Sequence, residues 1–130
     1  MVPQSLRTWF VIHFAADMLF GIPLLIAPEF VMRLFGWQAV DPFTARLVGA
    51  ALMGIGGESL LGRNAGAETF RELLNLKLIW AGSAIAGMTA TMLRGDQPAA
   101  GWLFVGIFGM FFGVWGYYRV RVGEKSFANE

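Results

Sequence analysis

The chain has 130 residues, of which 56% are hydrophobic and only 15% are charged. A composition this apolar is unsuited to a solvated surface and favours a membrane protein. The net charge is +1 without a cluster of Lys and Arg, which excludes a nucleic-acid partner, and the lack of cysteine excludes thiolate catalysis, iron–sulfur ligation and cysteine zinc sites.

Four apolar stretches are long enough to cross a bilayer, for which about 20 residues of helix are needed. They predict an all-α fold, a four-transmembrane-helix bundle in which residues 1–130 form a single membrane domain. The spans are expected at about 8–27, 43–61, 69–93 and 99–118. The tail that follows, residues 122–130, is polar and is expected to fray.

The connections between these spans carry their own signals. A short amphipathic helix in the membrane interface is predicted between the first two spans, with an apolar side formed by Phe30, Val31, Leu34 and Phe35. Asp41 followed by Pro42 predicts the start of the next helix. Thr69 and Glu72 match a T-x-x-E capping box, which predicts that the third span begins there.

The distribution of Lys and Arg predicts that both termini are cytoplasmic, because basic loops resist translocation. The side that holds both termini carries seven basic residues: Arg7, Arg63, Arg71, Lys77, Arg119, Arg121 and Lys125. The opposite side carries three: Arg33, Arg46 and Arg94. This asymmetry places the side with the termini in the cytoplasm.

Small residues indicate where helices pack in lipid, since they allow two backbones to approach closely. The fourth span places four of them on one stripe: Gly106, Gly109, Gly113 and Gly116. The second span places Gly54 on a face with Leu47, Ala51 and Glu58. We therefore predict a packing role for these five glycines, with a neighbouring helix along the stripe of the fourth span.

Four ionisable residues are predicted to form an intramembrane polar cluster: His13, Asp17, Glu58 and Lys77. His13 and Asp17 are i,i+4 neighbours on one helix face, about 6 Å apart along the axis. All four fall in the cytoplasmic half of the membrane if each helix is counted from its inner end. Groups of opposite charge that lie at the same depth in the membrane are expected to pair.

The sequence leaves open what this cluster does. In a structural interpretation, Asp17 or Glu58 pairs with Lys77, and the network specifies helix register. In a functional interpretation, a proton, an ion or a polar head group passes through the cluster. Placing an ionisable group in lipid costs a free energy of roughly 2.5–3.5 kcal/mol, and a function would explain why several such groups persist. No metal site is predicted, since there is one His and Lys77 competes for the carboxylates. No pattern indicates catalytic residues, and the cofactor is unknown.

Three segments carry a resemblance to a known family: APEFVMRLFGW at 27–37, DPFTARLVGAALMGIGGESLLGR at 41–63, and LRGDQPAAGW at 93–102. The pattern resembles the small four-helix bacterial membrane proteins of the DoxX-like type, in which a first helix ends in Pro and a second opens with Ala-Arg. The resemblance implies a multi-pass protein of the bacterial cell (inner) membrane. Some relatives resemble subunits of quinone-linked oxidoreductases, but no residue role transfers.

We expect a non-catalytic accessory or oligomeric component of a membrane assembly. The glycine stripe motivates this, and it implies the lipid bilayer and either further copies or other membrane subunits as partners. The alternative is a small transporter or a bundle that conducts protons or ions through the polar cluster. A second alternative is a redox subunit that interacts with a quinone or a lipid.

Overall fold

The structure is a computed structural model that describes residues 1–127. Among residues 1–127 the chain is all-helical, with 84% of these residues in helix and no strand. It forms two compact units, one of residues 3–64 and the other of residues 65–127 with Met1 and Val2. An all-α fold is therefore confirmed.

The unit of residues 3–64 contains α1 (Gln4–Ile26), α2 (Pro28–Leu34), α3 (Pro42–Leu61) and a 3-10 turn (Gly62–Asn64). The helices α1 and α3 pack against each other along their length in antiparallel fashion. At one end, Nη1 of Arg7 donates a hydrogen bond to the carbonyl of Arg63 at 2.6 Å. At the other end, Nε of Arg46 donates to the carbonyl of Leu25 at 3.1 Å, which satisfies one of the unpaired carbonyls at the end of α1.

The second unit is built on α4 (Ala67–Met92) and α5 (Ala100–Phe127), which also pack antiparallel. The ring centroids of Trp80 and Phe108 are 6.2 Å apart, and Nε of Arg119 donates to Oδ1 of Asn75 at 2.7 Å. The buried side chains of α5 recur at steps of three and four residues, and they include Phe111, Trp115, Tyr118 and Val122. This apolar stripe reaches Val122, which explains why the helix continues beyond residue 118.

The helix α5 therefore continues through residues 122–127, which were predicted to form a polar tail beyond the last span, and residues 128–130 lie outside the described part of the chain. The predicted capping box is wrong. The helix α4 begins at Ala67 with Gly66 as its N-cap, so Thr69 lies inside the first turn. The start at Asp41 is confirmed, because its side chain accepts a hydrogen bond from the backbone N–H of Phe43 at 3.1 Å.

Three helices of the described chain are long and apolar enough to cross a membrane: α1, α4 and the Ala100–Gly123 part of α5. The predicted second span forms α3, but it is not among these three. Arg46, Glu58 and four glycines lower the mean hydropathy of α3. Large apolar side chains are exposed on all the long helices, among them Leu19, Leu47, Ile79 and Leu103. Such a surface is typical of helices in contact with lipid.

Candidate functional site

The core of the candidate site is an ionisable pair on α1. Nε2 of His13 lies 3.5 Å from Oδ1 of Asp17, one helical turn further along. The two residues are only 5% and 6% exposed. Because α1 is otherwise apolar from Trp9 to Ile26, this pair is a local interruption of a hydrophobic helix.

The third member of the site is Ser59 of α3, which the sequence analysis missed. Its Oγ lies 3.2 Å from Nδ1 of His13, and the residue is 1% exposed. Ser59 lies on the α3 face that also holds Gly49, Leu52 and Gly56, all of them buried. We call His13, Asp17 and Ser59 the polar cluster from here on.

Glycines give the polar cluster its space. A Cβ placed on Gly56 would lie 2.5 Å from the Cβ of Asp17, so the carboxyl of Asp17 fits only because Gly56 lacks a side chain. Two further glycines form a backbone contact beside it, since a Cβ on Gly49 would lie 2.9 Å from the carbonyl oxygen of Gly21. Small residues thus bring α1 and α3 together next to the polar groups.

The hydrogen bonds of Ser59 define the protonation states that the polar cluster can accommodate. The hydroxyl donates to the carbonyl of Ile55 at 2.9 Å, which leaves Oγ to accept from an N–H at Nδ1 of His13. A second proton at Nε2 then gives an imidazolium paired with Asp17. If the hydroxyl turns towards Nδ1 instead, it donates to a neutral imidazole whose Nε2–H faces Asp17. Ser59 therefore satisfies His13 in both states.

The polar cluster differs from the arrangement of a hydrolase that uses serine as its nucleophile. In that arrangement the His accepts the proton of an accessible hydroxyl. Here the hydroxyl of Ser59 donates to the backbone of its own helix and is buried. Its chemistry is therefore that of a hydrogen-bond partner and not of a nucleophile.

The other two predicted members of the cluster lie in different surroundings. Glu58 immediately precedes Ser59 in α3, about 100° around the helix, and its side chain is exposed. Lys77 of α4 is 2% exposed, and its Nζ lies 5.1 Å from the centroid of the Trp115 ring. This distance is typical of a cation–π interaction, which stabilises a buried ammonium group. Trp115 in turn stacks on Phe111, with centroids 5.7 Å apart.

The five glycines predicted to pack are open within their own units. A Cβ added at Gly54, Gly106, Gly109, Gly113 or Gly116 would meet no atom of the same unit within 4 Å. The close helix contacts of the structure are formed at other glycines, namely Gly21, Gly49, Gly56, Gly82 and Gly101. A packing role for the α5 stripe stays a prediction that requires a partner beyond α4.

Among residues 1–123, whose side chains the structure describes, no group of three or more His, Asp or Glu is arranged to hold a metal ion. Comparison with known proteins gives no matching family model, no matching curated protein and no matching solved structure. The polar cluster must therefore be interpreted from its own geometry.

Proposed function

We propose that the protein is a four-span membrane protein of the cell (inner) membrane, with both termini cytoplasmic, that acts as a non-catalytic component of a membrane assembly. In this proposal α3 crosses the membrane in addition to α1, α4 and α5. Its charges are near its ends, Arg46 at one and Glu58 at the other, and the stretch between them is uncharged. The buried polar cluster supports this, since it links the last turn of α3, at Ser59, to the middle of the apolar α1.

The observation that carries the proposal is the open glycine stripe of α5. Gly106, Gly109 and Gly113 are exposed, and Gly116 continues the same line on the helix. Exposed helix positions in lipid gain nothing from glycine, whereas a second helix can approach a glycine stripe to within backbone contact. The bulky side chains beside the stripe, Trp102 and Met110, are exposed as well. A helix of a second copy or of another membrane subunit is the partner that fits.

Native mass spectrometry in mild detergent tests the association. The double variant Gly109→Ile and Gly113→Ile fills the stripe and should weaken self-association or the capture of a partner subunit by about tenfold or more. Gly87→Ile is the matched control, because Gly87 is an exposed glycine of α4 that also meets no atom within 4 Å. A wild-type protein that is strictly monomeric and binds no partner contradicts the proposal.

A second candidate function, proton transfer through the polar cluster, is favoured by the two hydrogen-bonding states of Ser59. A site that satisfies both the neutral and the charged form of His13 can gain and lose a proton while both ring nitrogens keep their partners. Proton flux into liposomes reconstituted with the protein tests this. Asp17→Asn should abolish the flux, and Glu29→Gln, an exposed carboxylate of α2, should not. Flux that is absent in the wild type or unchanged by Asp17→Asn rejects this function.

A further inference from the structure

A cleft opens beside the start of α3 in the unit of residues 3–64. It has a volume of about 260 Å³. Its walls come from the end of α1, from α2, from the segment before α3 and from the first turns of α3, and they include Leu24, Met32, Trp37 and Val48. Asp41 and Thr44 contribute the polar groups of the lining. No residue of the polar cluster and no glycine of the α5 stripe lines this cleft.

The volume restricts what the cleft can hold. An apolar cavity of about 150 Å³ takes benzene, and sites for drug-sized molecules start at about 300 Å³. A cleft between these limits takes one ring or a short length of hydrocarbon chain. Its apolar walls favour such a group, because burial removes hydrocarbon from water or from the crowded membrane interface.

The charge of the lining selects among the molecules that carry such a group. Among the described residues that line the cleft, Asp41 is the only charged one. The hydroxyl of Thr44 donates to one carboxylate oxygen and the backbone N–H of Phe43 donates to the other. The Thr44 hydrogen bond holds the pKa of Asp41 below its ordinary value, ahead of the smaller effect of the Phe43 N–H, so the side chain stays a carboxylate at neutral pH.

The two arginines on the neighbouring segments have partners of their own. Arg33 pairs with Glu29 on α2, with Nη2 and Oε2 3.5 Å apart. Arg46 donates to the carbonyl of Leu25. Neither arginine lines the cleft, so Asp41 supplies the charge of the lining, and Trp37, an aromatic residue of the kind that attracts cations, lines the cleft as well.

We propose that this cleft binds a lipophilic amine, with the hydrocarbon part against Leu24, Met32 and Val48 and the ammonium group beside Asp41 and Trp37. Two sources share this chemistry: the amine head group of an ethanolamine lipid, and a free amphiphilic amine. The site is separate from the α5 stripe, so it can be tested whatever the outcome for association.

Isothermal titration calorimetry of the full chain in a nonionic detergent tests the site with octylammonium as the probe. Saturable binding is expected for octylammonium and not for octanesulfonate, which has the same chain and the opposite charge. Asp41→Asn should weaken the binding of octylammonium by about fivefold, the effect of one exposed charge pair. Asn also caps helices well, so this variant keeps α3 intact.

Two further variants complete the design. Val48→Trp places a larger side chain in the cleft and should abolish binding. Because Val48 is already partly exposed, α3 should remain folded in this variant. Glu72→Gln is the control, since it removes an exposed carboxylate of α4 that does not line the cleft and leaves the pairing of Arg33 with Glu29 intact. Equal binding of octanesulfonate, or octylammonium binding that neither Asp41→Asn nor Val48→Trp reduces, overturns the proposal.

Native mass spectrometry of the protein purified with its lipids distinguishes the two sources. An ethanolamine lipid that is retained by the wild type and lost from Val48→Trp identifies the lipid head group as the natural ligand. Octylammonium binding without a retained lipid identifies a free amine. Failure of the stripe variants to change association leaves these results unaffected, because Gly109 and Gly113 do not line the cleft.

Discussion

Gly56 of α3 lies so close to Asp17 of α1 that a Cβ at position 56 would be 2.5 Å from the Cβ of Asp17. An ionisable side chain and a glycine therefore share one contact between two helices. The glycine brings the backbone of α3 close, and the same closeness places Ser59, three residues further on, beside His13. Packing and polar contacts in this unit consequently depend on each other.

The first prediction concerns this contact. Gly56→Ala adds a methyl group where real Cβ atoms do not fit, so α1 and α3 must separate, and we expect a loss of stability of about 1–3 kcal/mol. Gly57→Ala is the neighbouring control, because a Cβ at Gly57 meets no atom within 4 Å. Thermal unfolding in detergent measures both. Equal behaviour of the two variants would show that α1 and α3 do not approach each other at Gly56.

The second prediction concerns Ser59. Ser59→Ala removes the partner of Nδ1 of His13 in a buried place, which should destabilise the protein by about 1–2 kcal/mol. The control is Thr91→Ala. Thr91 likewise donates to the carbonyl four residues before it, that of Gly87 at 3.0 Å, but it is exposed. A stability loss that is the same for both variants would mean that the His13 contact contributes nothing.

The sequence predicted the long helices, the short α2 and the start of α3 at Asp41, because these depend on local signals: apolar runs, an amphipathic pattern and a cap. The i,i+4 spacing also predicted that His13 and Asp17 lie together. Neither prediction needed knowledge of which helices are neighbours.

The sequence did not predict which face of α3 meets α1, because small residues occur on both sides of this helix. The predicted face of Leu47, Gly54 and Glu58 is exposed, and the observed contact is made by the face that holds Gly56 and Ser59. Spacing alone does not distinguish two glycine-containing faces of one helix. Ser59 was missed for the same reason. A serine is predicted to take part in a buried polar contact only if its face of the helix is known to be buried.

The third prediction is a pH dependence that originates at Asp41. Its pKa is lower in the folded protein than in the unfolded chain, so the carboxylate stabilises the fold above the ordinary carboxyl pKa of about 4. This contribution is lost as the pH falls through the lower folded value. The Tm difference between wild type and Asp41→Asn should therefore shrink on acidification from pH 7 to about 2.5. A difference that stays constant over this range contradicts the assignment.

The fourth prediction concerns the buried ring beside Lys77. Trp115→Phe reduces the aromatic face under the ammonium group and leaves a gap next to Phe111, so we expect a loss of about 1 kcal/mol or more. Trp102→Phe on the same helix is the control, because Trp102 is 46% exposed. Thermal unfolding should separate the two variants, and an equal or larger effect of Trp102→Phe would place the stabilising contact elsewhere.

The central claim is that α3 crosses the membrane in addition to α1, α4 and α5. The accessibility of single cysteines tests it directly. The chain has no cysteine of its own, so one cysteine at Gln38, Asn64 or Asp96, all three exposed, is labelled without background. A membrane-impermeant maleimide should label positions 38 and 96 from outside intact cells and position 64 only after permeabilisation. Labelling of positions 38 and 64 from the same side would contradict a crossing by α3.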